Sequence, residues 1–162
     1  MLIQEIIQAI QPLRVIGKSD NLQNLDIQHL LTDSRQLGSK PENTLFFAIS
    51  TSKNDGANYI PQLCQRGVCT FVLTLDQYHS LLTRDSQLTI NAILVEDVLK
   101  SLQALATYKR SLYHGPVIGI TGSNGKTVVK EWLYQLLKDD YRITRSPKSY
   151  NSQIGVPLSV WQ

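Results

Sequence analysis

The stretch Val117-Ile118-Gly119-Ile120-Thr121-Gly122-Ser123-Asn124-Gly125-Lys126-Thr127 gives the first indication of fold and function in this chain. It begins with β-branched apolar residues, which favour a buried strand, and then turns through two glycines. Apolar residues recur at positions 128, 129, 132, 133, 136 and 137, the spacing of one face of an α-helix. A strand, a glycine loop, Lys-Thr and a helix in this order predict a phosphate-binding loop.

Each residue type in this loop suits a polyphosphate. Glycines let backbone N–H groups approach an anion closely, and the start of the helix adds unpaired N–H groups. Lys126 would supply a full positive charge to a bound phosphate, and the Thr127 hydroxyl is a ligand that Mg²⁺ accepts. We therefore predict an Mg-ATP or Mg-GTP site made of seven residues: Thr121, Gly122, Ser123, Asn124, Gly125, Lys126 and Thr127.

The strict form of the motif is not met. The pattern G-x-x-x-x-G-K-[ST] requires glycine at position 120, where this chain has Ile120. The alternative is therefore a Gly-Lys-Thr sequence that occurs by chance in a strand-to-helix turn. The flanking strand and helix patterns favour the phosphate loop.

Composition restricts the class of protein. The 162 residues suit one domain or slightly more, and 42% hydrophobic with 18% charged residues is a globular composition. The net charge of +3 is scattered rather than gathered into a basic stripe, so no nucleic-acid partner is expected. No apolar run is long enough to predict a membrane span, and residues 2–10 have the pattern of an amphipathic helix rather than a signal peptide.

The cysteines and histidines give no metal-binding pattern. Cys64 and Cys69 are the only cysteines, and His29, His79 and His114 are isolated from one another. Small buried thiols in a reducing compartment are the favoured interpretation, with a disulfide or a metal site as the alternative. We predict a cytoplasmic protein without a structural metal.

Residues 1–113 alternate strand and helix patterns, which predicts an α/β unit. The predicted strands are 13–16, 25–30, 44–49, 69–73 and 90–95, and the predicted helices are 2–10, 59–66, 77–82 and 98–112. The break at 113–116 separates this unit from residues 114–162, where a second strand is predicted at 141–145 after the loop and its helix. Since one strand-helix-strand unit takes about 30 residues, we expect the chain to be the front piece of a longer protein.

One acidic residue lies at the end of a predicted apolar strand, a position from which a carboxylate can bind Mg²⁺. Asp97 ends an apolar strand, yet it directly precedes a helical pattern, so a helix cap is the favoured role and a Mg²⁺ ligand the alternative. No Mg²⁺ carboxylate is evident after Lys126.

Several segments resemble the Mur ligase family, the amide-forming enzymes of bacterial cell-wall precursor synthesis. Residues 121–127 resemble its ATP loop T-G-[ST]-x-G-K-T, in which Ile120 is no anomaly. Asp33-Ser34-Arg35 followed by residues 45–49 resembles the D-S-R…L-F-F-A-L pattern of the family's N-terminal domain. Residues 151–158 are similar to N-N-x-I-G-V-P-L of the members that add D-alanyl-D-alanine, and residues 146–161 resemble a form fused to an alanine racemase.

The resemblance implies an α/β fold with two parts. Residues 1–113 would be the N-terminal Mur ligase domain that binds the UDP-sugar substrate, and residues 114–162 the first strand-helix-strand of a P-loop ATPase domain. The implied reaction adds D-alanyl-D-alanine to UDP-N-acetylmuramoyl-tripeptide through an acyl phosphate, with ATP and Mg²⁺. The remainder of the ligase beyond Gln162 would complete the enzyme, and we expect these 162 residues alone to be inactive.

The resemblance also implies roles for single residues. Lys126 would be catalytic, residues 121–127 would bind ATP, and Thr127 would bind Mg²⁺. Ser34 and Arg35 would contact the UDP part of the substrate, although a turn in which Asp33 and Arg35 merely pair is the alternative. Asn151 would contact substrate or, equally, hold its own loop in place.

Two departures from the family are clear. Asp55-Gly56-Ala57 stands where members have D-G-H, so any contact of that histidine is missing, and residues 50–53 lack a common glycine. Other functional hypotheses are the family member that adds the third amino acid, a nucleotide-gated binding module without ligase activity, and an inert α/β fragment.

Overall fold

The computed structural model describes residues 1–17, 22, 24–52, 54–147 and 150–162. Lys53, which belongs to the segment 50–53 that lacks the common glycine, lies outside the described residues. The chain divides into two compact units, Met1–Leu105 and Ala106–Gln162. This division falls within a helix that runs from Val98 to Ser111. The domain boundary at 113/114 stays a prediction.

The first unit contains the sheet and most of the helices. Its strands are β1 Arg14–Ile16, β2 His29–Leu31, β3 Thr44–Phe47, the short pair β4 Ser50–Thr51 and β5 Asn54–Asp55, β6 Thr70–Leu73 and β7 Asn91–Leu94. Its α-helices are α1 Ile3–Ile10, α2 Ile60–Gln65, α3 Leu75–Arg84 and the start of α4 Val98–Ser111. Short 3₁₀ turns lie at Ser34–Gln36, Pro41–Asn43 and Gly56–Tyr59. The predicted α/β class is confirmed.

Five strands form the main sheet in the order β1-β7-β6-β3-β2. β2, β3, β6 and β7 are parallel to one another, and β1 is antiparallel to β7. The register places Leu31, Phe46, Phe71 and Ala92 side by side across the four parallel strands. The four carboxyl ends therefore lie at one edge of the sheet, which is where ligands bind in open α/β folds.

Both faces of this sheet are buried, as a parallel sheet requires. On one face, the strand residues Phe46, Phe71 and Leu94 belong to a buried core cluster. The same cluster contains Ile60 and Leu63 of α2 and Leu81 of α3. The alternate strand positions, Leu45, Phe47, Val72 and Ile93, are also almost fully buried. Because side chains alternate along a strand, these residues face the opposite side, and the buried stripes of α1 and α4 supply apolar side chains to cover it.

The helix starts follow local capping signals. The Asp97 side chain accepts a hydrogen bond from the Lys100 amide at 2.9 Å, so its predicted role as the cap of α4 is confirmed. Thr74 caps α3 with Gln77 as the reciprocal partner. Gly67, at φ +91°, follows the end of α2, where a left-handed residue commonly closes a helix.

One predicted strand is shorter than expected. Of residues 25–30, only His29 and Leu30 belong to β2. The preceding residues instead bond to other segments: the Leu25 carbonyl accepts from the Ile3 amide and the Ile27 amide donates to the Met1 carbonyl, both at 2.9 Å. The alternating pattern therefore reflects an extended segment against the chain's first residues rather than a longer ladder.

The second unit has helices but not the predicted strands. α5 spans Lys126–Leu137, as its pattern predicted, and α6 spans Gly155–Trp161. Residues 117–120 and 141–145 form no strand, so these two predictions are wrong. A parallel strand is stabilised by neighbouring strands and by cover on both faces, whereas Val117 and Ile118 are 59% and 63% exposed. No helix of the described residues is long and apolar enough to span a membrane.

Candidate functional site: a glycine loop and a strand-end edge

The predicted phosphate loop has backbone geometry that requires its glycines. Gly122 has φ +137° and Gly125 has φ +77°, values that residues with a Cβ rarely adopt. Gly125 is the N-cap of α5, so the chain passes directly from a left-handed glycine into the first helical turn. The open space around both glycines is consistent with a loop that a ligand approaches, since a Cβ on Gly125 would meet nothing within 4 Å.

Lys126 lies over this loop. Its Nζ contacts the carbonyl oxygen of Gly122 and lies 3.5 Å from that of Ser123. In the described part of the chain, none of the backbone amides from Gly122 to Lys126 donates to another group of the protein. The loop therefore combines an ammonium group held at its carbonyl oxygens with amides that remain available to an anion.

Thr127 is exposed in the first turn of α5. Its hydroxyl is a hard oxygen donor beside Lys126, which fits one ligand position of a Mg²⁺ ion that keeps several waters. Among the residues that the structure describes, no cluster of three or more histidine, cysteine or acidic side chains could hold a metal ion. A role of Thr127 as a Mg²⁺ ligand stays a prediction.

Ser34 and Arg35 lie in the 3₁₀ turn that follows β2, at the carboxyl edge of the first unit's sheet. The Arg35 Nη2 lies 2.7 Å from Asp33 Oδ2, and this pair lowers the pKa of Asp33 through the hydrogen bond from the guanidinium. The Arg35 side chain is 87% exposed, so the pairing leaves it accessible. The paired turn named as the alternative is present, and substrate contact by Ser34 and Arg35 stays a prediction.

The side chain of Arg66, which the sequence patterns did not single out, stabilises this turn by a hydrogen bond. Its Nη1 donates to the Ser34 carbonyl oxygen at 2.9 Å, across 32 positions of sequence. Ser34 itself is buried, with 8% of its surface exposed. The turn is therefore fixed to the end of α2.

A hairpin made of β4 and β5 follows β3 at the same edge. The Asp55 Oδ1 atom accepts three hydrogen bonds: from the Ser50 hydroxyl at 2.9 Å, from the backbone amide of Ala57 at 3.0 Å and from the side-chain amide of Gln77 at 2.6 Å. Burial raises the pKa of Asp55, but these hydrogen bonds outweigh burial and lower the pKa below its ordinary value. Asp55 therefore stays ionised inside its network.

Two residues of this region depend on close packing. Ala57, which replaces the family histidine, is buried with 4% of its surface exposed. A Cβ on Gly56 would lie 2.7 Å from the backbone carbon of Ala48, so only glycine fits there. Ala57 thus offers only a buried methyl group where the family has a histidine.

Asn151 is exposed and lies before α6 in the second unit. Its side chain makes no hydrogen bond within the described part of the chain, so no such bond supports the alternative role of holding its own loop. Lys130, another residue that the sequence patterns missed, donates to the Ser146 carbonyl oxygen at 2.7 Å and lies 3.3 Å from Glu131 Oε1. Lys130 thus ties the segment before Asn151 to α5.

The cysteines differ from the expectation in one respect. Both are free thiols; Cys64 is half-buried, whereas Cys69 is exposed rather than buried. Burial raises the pKa of Cys64 to about 11. Cys69 lies between the end of α2 and β6, where its side chain points outward and its Sγ donates to the Gly67 carbonyl oxygen at 3.4 Å.

Comparisons with known proteins match both units. Residues 120–162 match the Mur ligase middle domain. A UDP-N-acetylmuramoyl-tripeptide–D-alanyl-D-alanine ligase of Borreliella burgdorferi is 30% identical over 161 residues, which cover 98% of this chain and 34% of the relative. The chain therefore spans about a third of the length of this curated relative.

Solved structures give the same result. The UDP-N-acetylmuramoylalanyl-D-glutamyl-2,6-diaminopimelate–D-alanyl-D-alanyl ligase of Acinetobacter baumannii matches with a TM-score of 0.76 and 26% identity, over 98% of this chain and 32% of its own. The MurF ligase of Thermotoga maritima in complex with ADP matches with a TM-score of 0.62 and 28% identity, over 83% of this chain and 29% of its own.

Residues 120–162 thus match the middle domain of the Mur ligases, and the chain is similar to Mur ligases over both units. The Borreliella burgdorferi relative and the Acinetobacter baumannii structure are both D-alanyl-D-alanine-adding ligases by name.

Proposed function

We propose that this chain supplies the UDP-sugar site and the ATP loop of a ligase that joins D-alanyl-D-alanine to UDP-N-acetylmuramoyl-tripeptide. The observation that carries the proposal is the loop at residues 121–127. It places two left-handed glycines, available backbone amides and the Lys126 ammonium at the start of α5. The similar MurF ligase of Thermotoga maritima was solved in complex with ADP, which supports adenine-nucleotide binding as part of the proposal.

The reaction explains why this loop is needed. A peptide carboxylate is a poor electrophile until one of its oxygens becomes part of a leaving group. In the proposed first step, the terminal carboxylate of the tripeptide attacks the γ-phosphorus of ATP, and the bond to the bridging oxygen breaks to release ADP. The amine of D-alanyl-D-alanine then attacks the acyl carbon, phosphate leaves, and the amine loses a proton.

Residues of this chain would serve the first of these steps. Lys126 would neutralise charge on the phosphoryl group as it transfers, a Coulomb effect of about 4 kcal/mol for unit charges at about 4 Å and an effective dielectric of about 20. Residues 121–125 would bind the phosphates through backbone amides, and the Thr127 hydroxyl would be one ligand of Mg²⁺. Bound Mg²⁺ would add positive charge beside the phosphates.

The first unit would bind the sugar nucleotide at the carboxyl edge of its sheet. Ser34 and Arg35 lie at the end of β2, where the exposed guanidinium suits a diphosphate. Asn151 would contact substrate from the second unit. Its exposed side chain supports that role.

The reaction is tested on the full-length protein that is translated from the gene encoding these residues. ATP, UDP-N-acetylmuramoyl-tripeptide and D-alanyl-D-alanine are supplied together, and phosphate release is measured. We expect release only when all three are present, and its loss in Lys126→Ala. Release that does not depend on D-alanyl-D-alanine, or that depends instead on a diamino acid with the dipeptide precursor, would contradict the proposal.

A further inference from the structure

A buried glutamine joins the segments that meet at the carboxyl edge of the sheet. Gln77 lies in the first turn of α3, with 7% of its surface exposed. Its Nε2 atom lies 2.9 Å from the Ala48 carbonyl oxygen, 2.9 Å from Ser50 Oγ and 2.6 Å from Asp55 Oδ1. One amide therefore fixes the end of β3 and both strands of the β4–β5 hairpin.

The chemistry of this network requires an amide. All three partner atoms act as acceptors toward Gln77, because the Ser50 hydroxyl donates its own proton to Asp55. The two protons of Gln77 Nε2 are therefore shared among three oxygen atoms. The Gln77 Oε1 atom accepts from the Thr74 amide at 2.9 Å, which fixes the orientation of the side chain. A glutamate at this position has the acceptor but not the donor, and its charge would face Asp55.

The hairpin borders the place where a sugar nucleotide is proposed to bind. β3 is the immediate neighbour of β2, so the hairpin and the Ser34–Gln36 turn leave adjacent strands at the same edge. Ser50, Thr51 and Asn54 of the hairpin are exposed.

We propose that Gln77 is a positioning residue for the sugar-nucleotide substrate: its buried amide holds the Ser50–Asp55 hairpin in the conformation that contacts the substrate. The residue itself lies beneath the hairpin and acts through it. This inference rests on the proposed function of the first unit.

The test compares two substitutions of the same chemical type in the whole 162-residue chain. Gln77→Glu removes the donor and keeps the size, whereas Gln62→Glu makes the same change at an exposed position of α2. Calorimetry measures binding of UDP-N-acetylmuramoyl-tripeptide, and ATP binding is measured on the same samples. We expect Gln77→Glu to weaken sugar-nucleotide binding by about 10-fold or more while ATP affinity is kept, and Gln62→Glu to change neither.

The pH dependence adds a second readout. The carboxyl group introduced by Gln77→Glu again carries a donor when it is protonated, so the affinity of this variant for the sugar nucleotide should recover as the pH falls toward about 5. Gln62→Glu should show no such recovery. If the wild-type chain binds no sugar nucleotide, the proposed function of the first unit fails. If wild-type and Gln77→Glu bind it equally, the inference about Gln77 alone is overturned.

A measurement on the wild-type chain covers the case in which Gln77→Glu does not fold. Hydrogen exchange of the amides of Ser50, Thr51 and Asn54 is followed with and without the sugar nucleotide. We expect slower exchange at these amides in the complex. Unchanged exchange, with binding demonstrated by calorimetry, would overturn the role of the hairpin and with it the role of Gln77.

Discussion

Single glycines decide where this chain can turn sharply or approach itself closely. Gly122 and Gly125 supply the left-handed geometry of the loop, while Gly56 lies against the backbone of Ala48 and Ile49. These are different requirements, since the first concerns the φ angle and the second concerns space. Substitutions at the two kinds of site should therefore fail for different reasons.

The close approach at Gly56 predicts a loss of stability on substitution. A Cβ at Gly56 would lie 2.8 Å from both the amide nitrogen and the carbonyl oxygen of Ile49, and neither backbone atom can move without disturbing the hairpin. Gly56→Ala should lower the free energy of unfolding by about 1–3 kcal/mol, measured by denaturant titration. Gly38→Ala is the control, because a Cβ there meets nothing within 4 Å; an equal loss in both variants would refute the explanation.

The two thiols should differ in reactivity. Burial raises the pKa of Cys64 from 9.0 to about 11, so the fraction of reactive thiolate at pH 8 falls by about 100-fold, whereas Cys69 is exposed. Alkylation with iodoacetamide at pH 8, followed by peptide mass analysis, should label Cys69 well before Cys64. The buried thiol also makes the fold less stable as the pH rises from about 9 to 11, since only the unfolded chain ionises there. Equal labelling rates would contradict this.

At the scale of elements, local sequence patterns predict helices and their caps better than they predict strands or long-range contacts. The helix after Lys126, the cap at Asp97 and the strands of the first unit follow from periodicity and capping, which act over a few residues. The strands predicted at 117–120 and 141–145 are absent, because β-branched residues favour a strand only where neighbours pair with it. The Gln77–Asp55 and Arg66–Ser34 contacts, 22 and 32 positions apart, lay beyond any local pattern.

The cap of α4 gives a test at this scale. The Asp97 side chain accepts the Lys100 amide at 2.9 Å, and Asp97→Asn retains an acceptor while Asp97→Ala does not. Thermal unfolding should show that Asp97→Ala costs about 1 kcal/mol and that Asp97→Asn costs much less. If alanine and asparagine are equally destabilising, charge rather than capping accounts for the role of Asp97.

At the scale of the whole molecule, the two sites that we propose lie in different units. The first unit offers the carboxyl edge of a parallel sheet with Ser34 and Arg35, and the second offers the loop with Lys126. The likeness to ligases of cell-wall precursor synthesis extends over both units, with 98% of the chain covered. A ligase that must bring a sugar nucleotide and ATP together needs both sites.

Separate sites predict separable binding. Lys126→Ala should weaken ATP binding and leave the affinity for UDP-N-acetylmuramoyl-tripeptide unchanged, because the residues proposed to contact the sugar nucleotide in the first unit are not altered. Calorimetric titration of the variant with each ligand measures the two affinities. Loss of sugar-nucleotide binding in Lys126→Ala would show that one unit does not act without the other.

ATP binding at residues 121–127 is measured most directly by calorimetry on the wild-type chain, Lys126→Ala and Lys138→Ala. Lys138 is an exposed lysine at the opposite end of the same helix, so its substitution makes the same change of charge away from the loop. Wild-type and Lys138→Ala should bind ATP alike, and Lys126→Ala should bind it about 10-fold or more weakly. Equal affinity of all three chains, or no binding by any, would contradict a phosphate-binding loop at this position.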